Sequence, residues 1–139
     1  MTLDESIATV VRKYIGIPYR HGGRDLKGLD CLGLAYRFYQ DLGIEIPDGD
    51  GSPYSTQWVY EDPERYLRGI QKLGCEVSLS AIHPLDFVYF KIGRYISHCG
   101  VMVDWQYFIH VIQGTRVHLT LLNWAWRRRL VGVRRVVDN

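Results

Sequence analysis

At Gly74 and Cys75 the spacing of apolar residues changes period, and that change restricts the fold. Before it, apolar positions recur at helical spacing; after it they alternate or run together in short β-branched and aromatic stretches. Helices first and a series of strands second define an α+β chain whose N-terminal helices pack on an antiparallel sheet.

The elements can be placed one by one. Asp4 or Ser6 caps a first helix carrying Ile7, Val10, Val11, Tyr14 and Ile15, stopped by Gly16 and Pro18. A second helix runs from Cys31 to Leu42 on an apolar face of Cys31, Leu34, Ala35, Phe38 and Leu42, and Gly43 closes it. Asp48 to Thr56 is a polar loop of the kind that lines clefts. Asp62-Pro63-Glu64 opens a third helix with Tyr66, Leu67, Ile70 and Leu73, read as a solvated connection. Strands follow at Glu76–Leu79, Leu85–Phe90, Cys99–Val103, Gln106–Val111, Arg116–Leu119 and Leu130–Val137. Asp104-Trp105 forms a tight turn, and the arginines of the last strand face solvent. No internal repeat or low-complexity segment is visible.

At 139 residues and 47% hydrophobic, the chain can bury a core without staples, as one domain over residues 1–139. A net charge of +2 is too small for a nucleic-acid-binding protein, yet it does not oppose an anionic polymer such as a cell wall. Three separated cysteines, Cys31, Cys75 and Cys99, suggest neither a disulfide framework nor a zinc ribbon. The acidic N-terminus lacks a signal peptide, and no apolar run approaches the roughly 20 residues of a membrane span. Cytoplasmic synthesis without an export signal is the expectation.

The segment ahead of Cys31 is broken by Pro18, Gly22, Gly23 and Gly28, so a loop delivers Cys31 to a helix N-terminus. Unpaired N–H groups there favour a thiolate, the nucleophilic form, and can hold the oxyanion produced when it attacks a carbonyl. The same cysteine also reads as a small buried hydrophobe on a core helix. A nucleophile needs a base, and His98, after the polar break Gly93–Ser97, is placed at a strand end open to a cleft. His110 lies on the next strand, where a hairpin at Asp104-Trp105 brings it toward His98 to steady that ring. Each histidine taken singly reads equally as a core residue. Zinc on Cys31, His98, Cys99 and His110 is the rival, but adjacent residues 98 and 99 of a strand point to opposite faces. The chemistry needs no metal and no cofactor.

Gly16-Ile17-Pro18-Tyr19-Arg20-His21-Gly22-Gly23 with Gly28-Leu29-Asp30-Cys31-Leu32-Gly33-Leu34 resembles the nucleophile segment of the NlpC/P60 cysteine peptidases, which have a papain-like fold. Leu85-Asp86-Phe87-Val88-Tyr89-Phe90, His98-Cys99-Gly100-Val101-Met102-Val103 and Tyr107-Phe108-Ile109-His110-Val111 are similar to the strands that follow it in that family. The resemblance implies Cys31 as nucleophile, His98 as base, His110 as its orienting partner, and Tyr19, Asp30 and Asp86 as substrate-binding residues. It implies cleavage of an amide bond in peptidoglycan stem peptides, commonly the bond from D-glutamate to the diamino acid. Trp124-Ala125-Trp126-Arg127-Arg128-Arg129-Leu130 is similar to compact phage-type members, implying phage tail proteins as partners and a virion-associated location. Leu32 stands where a serine is common, and Leu85 where a glycine is usual. The alternative expectation is a structural tail component that keeps these residues in an inactive cleft.

Overall fold

The computed structural model describes residues 1–137; positions 138 and 139 of the expected single domain lie outside the described residues. The helical half consists of α1 (Leu3–Tyr14), a small hairpin of β1 (Arg24–Asp25) and β2 (Gly28–Leu29), α2 (Cys31–Asp41), α3 (Trp58–Glu61) and α4 (Arg65–Ile70). The sheet half consists of β3 (Cys75–Val77), β4 (Phe87–Ile92), β5 (Tyr95–Met102), β6 (Tyr107–His110), β7 (His118–Leu121), α5 (Trp124–Arg127) and β8 (Leu130–Arg135). The larger sheet has the order β3-β8-β4-β5-β6-β7, and its paired strands are antiparallel. The fold is the expected α+β arrangement of N-terminal helices on an antiparallel sheet.

Strand alternation sorts the apolar residues onto two faces. Phe87, Tyr89, Cys99, Val101 and Ile109 face the helices and pack with Tyr14, Leu34, Phe38 and Tyr39. Val88, Phe90, Met102, Phe108 and Val133 form a second cluster on the other face, covered by Leu122 and Trp126.

Several local expectations are corrected. Thr2, rather than Asp4 or Ser6, caps α1, because Thr2 and Glu5 satisfy each other's backbone N–H groups in a capping box. The expected third helix is the short α4, an unexpected α3 precedes it, and α4 is no solvated connection: Tyr66 and Ile70 are buried against the core. The strand expected at Arg116–Leu119 pairs two residues later, at His118–Leu121. The arginines of β8 are engaged rather than solvated. Arg134 donates to the carbonyls of Gln71, Leu73 and Gly74 beyond α4, and Arg135 pairs with Asp86.

His98 does not stand at a strand end. The polar break shrinks to a two-residue turn, Gly93-Arg94, between the registered pair Ile92 and Tyr95, with Gly93 at φ 63°. Tyr95–Ser97 therefore belong to β5, and His98 is buried in mid-strand. A bulge lies just before it. Phe90 registers with His98 and Lys91 with Ile96, which leaves Ser97 as the extra residue, and bulges of this kind re-aim neighbouring side chains.

Candidate active site

Cys31 is the first residue of α2, and Asp30 before it is the N-cap. The buried Asp30 carboxylate accepts from Gly33 N–H at 2.8 Å, Gly22 N–H at 2.9 Å, Arg24 Nη1 at 2.8 Å and the Tyr54 hydroxyl. One side chain thus ties the helix end, the glycine loop and the loop after α2 together. The approach is close enough that a Cβ on Gly33 would lie 2.1 Å from the Gly23 carbonyl oxygen. With its lone pairs occupied in this way, Asp30 anchors the loop that presents Cys31.

The Cys31 sulfur is partly buried, 3.2 Å from the Tyr66 hydroxyl. Its pKa lies well below that of an ordinary thiol. A hydrogen bond from Cys99 lowers it most, burial opposes, and a bond and positive charge from His98 lower it further. The buried Cys99 thiol is driven the other way, first by burial and then by Cys31. Of the two sulfurs, Cys31 is the one that ionises.

His98 and His110 meet: His98 Nε2 lies 2.9 Å from His110 Nδ1, and His110 Nε2 lies 2.7 Å from Thr120 Oγ1. Gly100 makes the first contact possible. It lies two residues along β5 from His98, and a Cβ there would sit 2.9 Å from the Ile109 carbonyl oxygen and 3.4 Å from His110 Cβ. Phe90, Phe108 and Trp126 surround the pair, with Trp126 5.8 Å from His98 and 5.0 Å from His110 between ring centroids. That apolar setting lowers the pKa of His110 to about 2, by burial first and then by the charges of His98 and His118. His110 is therefore neutral, and the nitrogen of His98 that His110 does not engage is Nδ1.

The cleft over Cys31 encloses about 820 Å³ counted to its open mouth, and Tyr19, His21, Tyr54, Trp58, Tyr66 and Ser97 are among its walls. Tyr19 stands beside the nucleophile position, its pKa pushed up to about 12 by burial and then by Cys31 and Asp30. Asp86 is elsewhere. It accepts from Arg135 Nε at 2.9 Å, Arg135 Nη2 at 2.8 Å and His83 N–H at 2.8 Å, four residues along the chain from the residue paired with His98. Leu85 before it holds a left-handed backbone, φ 71°, which explains why glycine suits that position. Among the described residues no group of three His, Cys, Asp or Glu side chains is arranged to hold a metal ion.

Tyr66, Thr120 and Trp126 were not singled out as site residues by sequence reasoning. Thr120 had a usable signal, since His118 and Thr120 share one face of β7 and β7 pairs with the strand of His110. Tyr66 had none, because its reach to Cys31 depends on how the segment from Ile44 to Leu73 folds back. Trp126 is the ring that packs against both members of the histidine pair.

A thiol at a helix N-terminus beside a histidine on an antiparallel sheet is the layout of a papain-like α+β protein. The NlpC/P60 family model matches residues 16–135, and the chain belongs to that family. It is 33% identical over 141 residues to the gamma-DL-glutamyl hydrolase of Bacillus subtilis (strain 168), a match spanning 96% of this chain and 30% of that protein. It is 30% identical over 125 residues to the murein DD-endopeptidase MepS/murein LD-carboxypeptidase of Escherichia coli (strain K12), across 88% of this chain and 57% of that protein. The crystal structure of an NlpC/P60 family protein from Bacillus cereus ATCC 10987 superposes with a TM-score of 0.72 at 20% identity, over 97% of this chain and 40% of that one. The chain thus spans well under two thirds of each of these relatives.

Proposed function

We propose that this protein is a cysteine peptidase that cleaves an amide bond in the stem peptides of peptidoglycan. The observation that carries the reading is a depressed Cys31 thiol beside His98, a ring whose far nitrogen is held by the neutral His110. Because His110 is neutral, its Nδ1 can accept from His98 Nε2–H while its Nε2–H donates to Thr120. His98 can then carry two protons without repulsion from its partner. The thiolate of Cys31 attacks the carbonyl carbon, and the carbonyl electrons move onto oxygen. Collapse expels the amine with a proton from His98 and leaves an acyl-enzyme. Water, deprotonated by His98, releases the acid. Tyr19, in the cleft wall, and the N–H groups at the start of α2 can donate to the oxyanion.

Family membership and relatives named as a glutamyl hydrolase and a murein endopeptidase support the substrate class. Within it, the bond from D-glutamate to the diamino acid is the one the reading favours. Incubation with purified peptidoglycan, followed by mass spectrometry of the muropeptides, tests both points. Wild type is expected to release fragments whose masses place the cut at that bond, and Cys31→Ala to release none. Equal release by the two proteins removes the cysteine mechanism; fragments cut elsewhere correct the bond.

A further inference from the structure

Cys31 has a hydrogen-bond neighbour that neither the motif around it nor the histidine strands supply. The Tyr66 hydroxyl lies 3.2 Å from Sγ, on the short helix α4. Tyr66 is buried, its ring stacks on Trp58 at 5.6 Å, and it forms part of the cleft wall. Building on the peptidase reading, we propose that Tyr66 is a catalytic hydrogen-bond donor, bonded to the Cys31 sulfur in the resting cleft and to the substrate oxyanion in the tetrahedral intermediate.

Three features support the assignment. The first is chemical: burial and then the charge of Cys31 hold the Tyr66 pKa well above that of free tyrosine, so the hydroxyl keeps its proton while the sulfur is a thiolate. The hydroxyl is therefore the donor and the sulfur the acceptor. The second is positional. When Sγ bonds to the carbonyl carbon, the oxyanion forms one atom beyond it, within the sphere a donor at hydrogen-bond reach of the sulfur covers, and effective oxyanion donors sit about 3 Å from that site. The bond to sulfur weakens as its charge passes to oxygen, and the donor can follow the charge without transferring its proton.

The third feature is rigidity. Arg65, the residue before Tyr66, grips Asp50 through Nε at 2.7 Å and Nη2 at 3.0 Å and also donates to the carbonyls of Ser52 and Pro53. The same loop is tied down where Tyr54 bonds to Asp30 and its carbonyl meets His21 Nε2 at 2.9 Å. Below, Ile70 and Leu73 anchor the helix and the turn after it in the core. A donor held this way needs no reorganisation as charge develops, which is the condition under which such donors contribute most.

The test is Tyr66→Phe, which keeps the ring against Trp58 and removes only the hydroxyl. Kinetics are measured on a γ-D-glutamyl-diaminopimelate peptide, and Cys31 alkylation by iodoacetamide is followed against pH at the peptide level, so that the exposed Cys75 does not interfere. The expected result is a loss of kcat of about 10²- to 10³-fold with little change in KM, as for removal of one oxyanion donor. The alkylation midpoint should rise by about one pH unit or more, the effect of losing one hydrogen bond to a charged group. Unchanged kcat and an unchanged midpoint, with wild-type hydrolysis intact, overturn the role of Tyr66 and leave the peptidase reading standing. A raised midpoint in Tyr66→Phe, where wild type cuts neither this peptide nor purified peptidoglycan, supports the bond to the thiolate and counts against the peptidase reading instead.

Discussion

His110 shows how a single side chain can be read both ways and resolved by its surroundings. Packed among Phe108, Trp126 and His118 it is a core residue, and bonded to His98 and Thr120 it is a polar relay. The two descriptions are compatible, because the apolar setting keeps the ring neutral and a neutral ring can serve His98. The cost appears in acid. Folded His110 resists protonation down to about pH 2, whereas the unfolded chain protonates it near the ordinary histidine value of 6.5. As pH falls below 6.5 the unfolded state gains a proton the folded state refuses, so this residue removes about 1.4 kcal/mol of stability per pH unit. Urea unfolding between pH 6.5 and roughly pH 4.5, above the carboxylate range, should therefore show a shallower loss for His110→Asn than for wild type. Parallel curves would contradict a buried neutral His110. Cys31, His98 and His110 were all legible as candidates, Cys31 from its place at a helix start and the histidines from residue type and the hairpin joining their strands, although the place of His98 within its strand was not. Thr120 and Tyr66 complete the site through contacts that only the folded chain creates.

At the level of elements, the N-terminus of α2 carries most of the organisation. Asp30 caps the helix, pairs with Arg24 and receives the Gly22 and Tyr54 donors. Asp30→Ala removes the α2 cap and the acceptor of the Gly22, Gly33 and Tyr54 donors, while Arg24 keeps Asp48 as its carboxylate partner, so it should destabilise the protein by about 3 kcal/mol. Calorimetric or urea unfolding checks this, and a loss below about 1 kcal/mol, the scale of an exposed pair, would show that Asp30 does not hold the loop. Secondary structure was legible wherever periodicity was long: α1, α2, β4 and β6 appear close to where apolar spacing put them. It failed where one residue changed the geometry. The tight turn at Gly93-Arg94 carried β5 back to Tyr95 and left His98 in mid-strand beside a bulge at Ser97, and the Thr2 and Glu5 capping box began α1 ahead of its apolar stripe. A bulge depends on cross-strand register, which a single strand's sequence does not display.

For the molecule as a whole, two halves of different period meet along one line. The helical half supplies the thiol, the glycine loop and the segment bearing Tyr66, and the sheet half supplies the histidine pair with its aromatic surround. The order of helices and strands made that architecture legible. The fold-back of residues 44–74 over the cleft was not, because loop paths follow from tertiary partners such as Asp50 with Arg65 and Tyr54 with Asp30. The arginines of β8 were misread for the same reason: Arg134 and Arg135 find their acceptors just beyond α4 and before β4, far away in sequence.

The two halves together hold the Cys31 thiol well below its ordinary pKa, and its reactivity reports this directly. The rate of Cys31 alkylation by iodoacetamide should be measured against pH in wild type and in His98→Ala, with the modified peptide identified by mass. The wild-type midpoint should lie well below the roughly 8.5 of a free cysteine and move upward by at least about one unit when the imidazole is removed. A Cys31 that resists alkylation in both proteins, or that titrates near 8.5 in both, would contradict it.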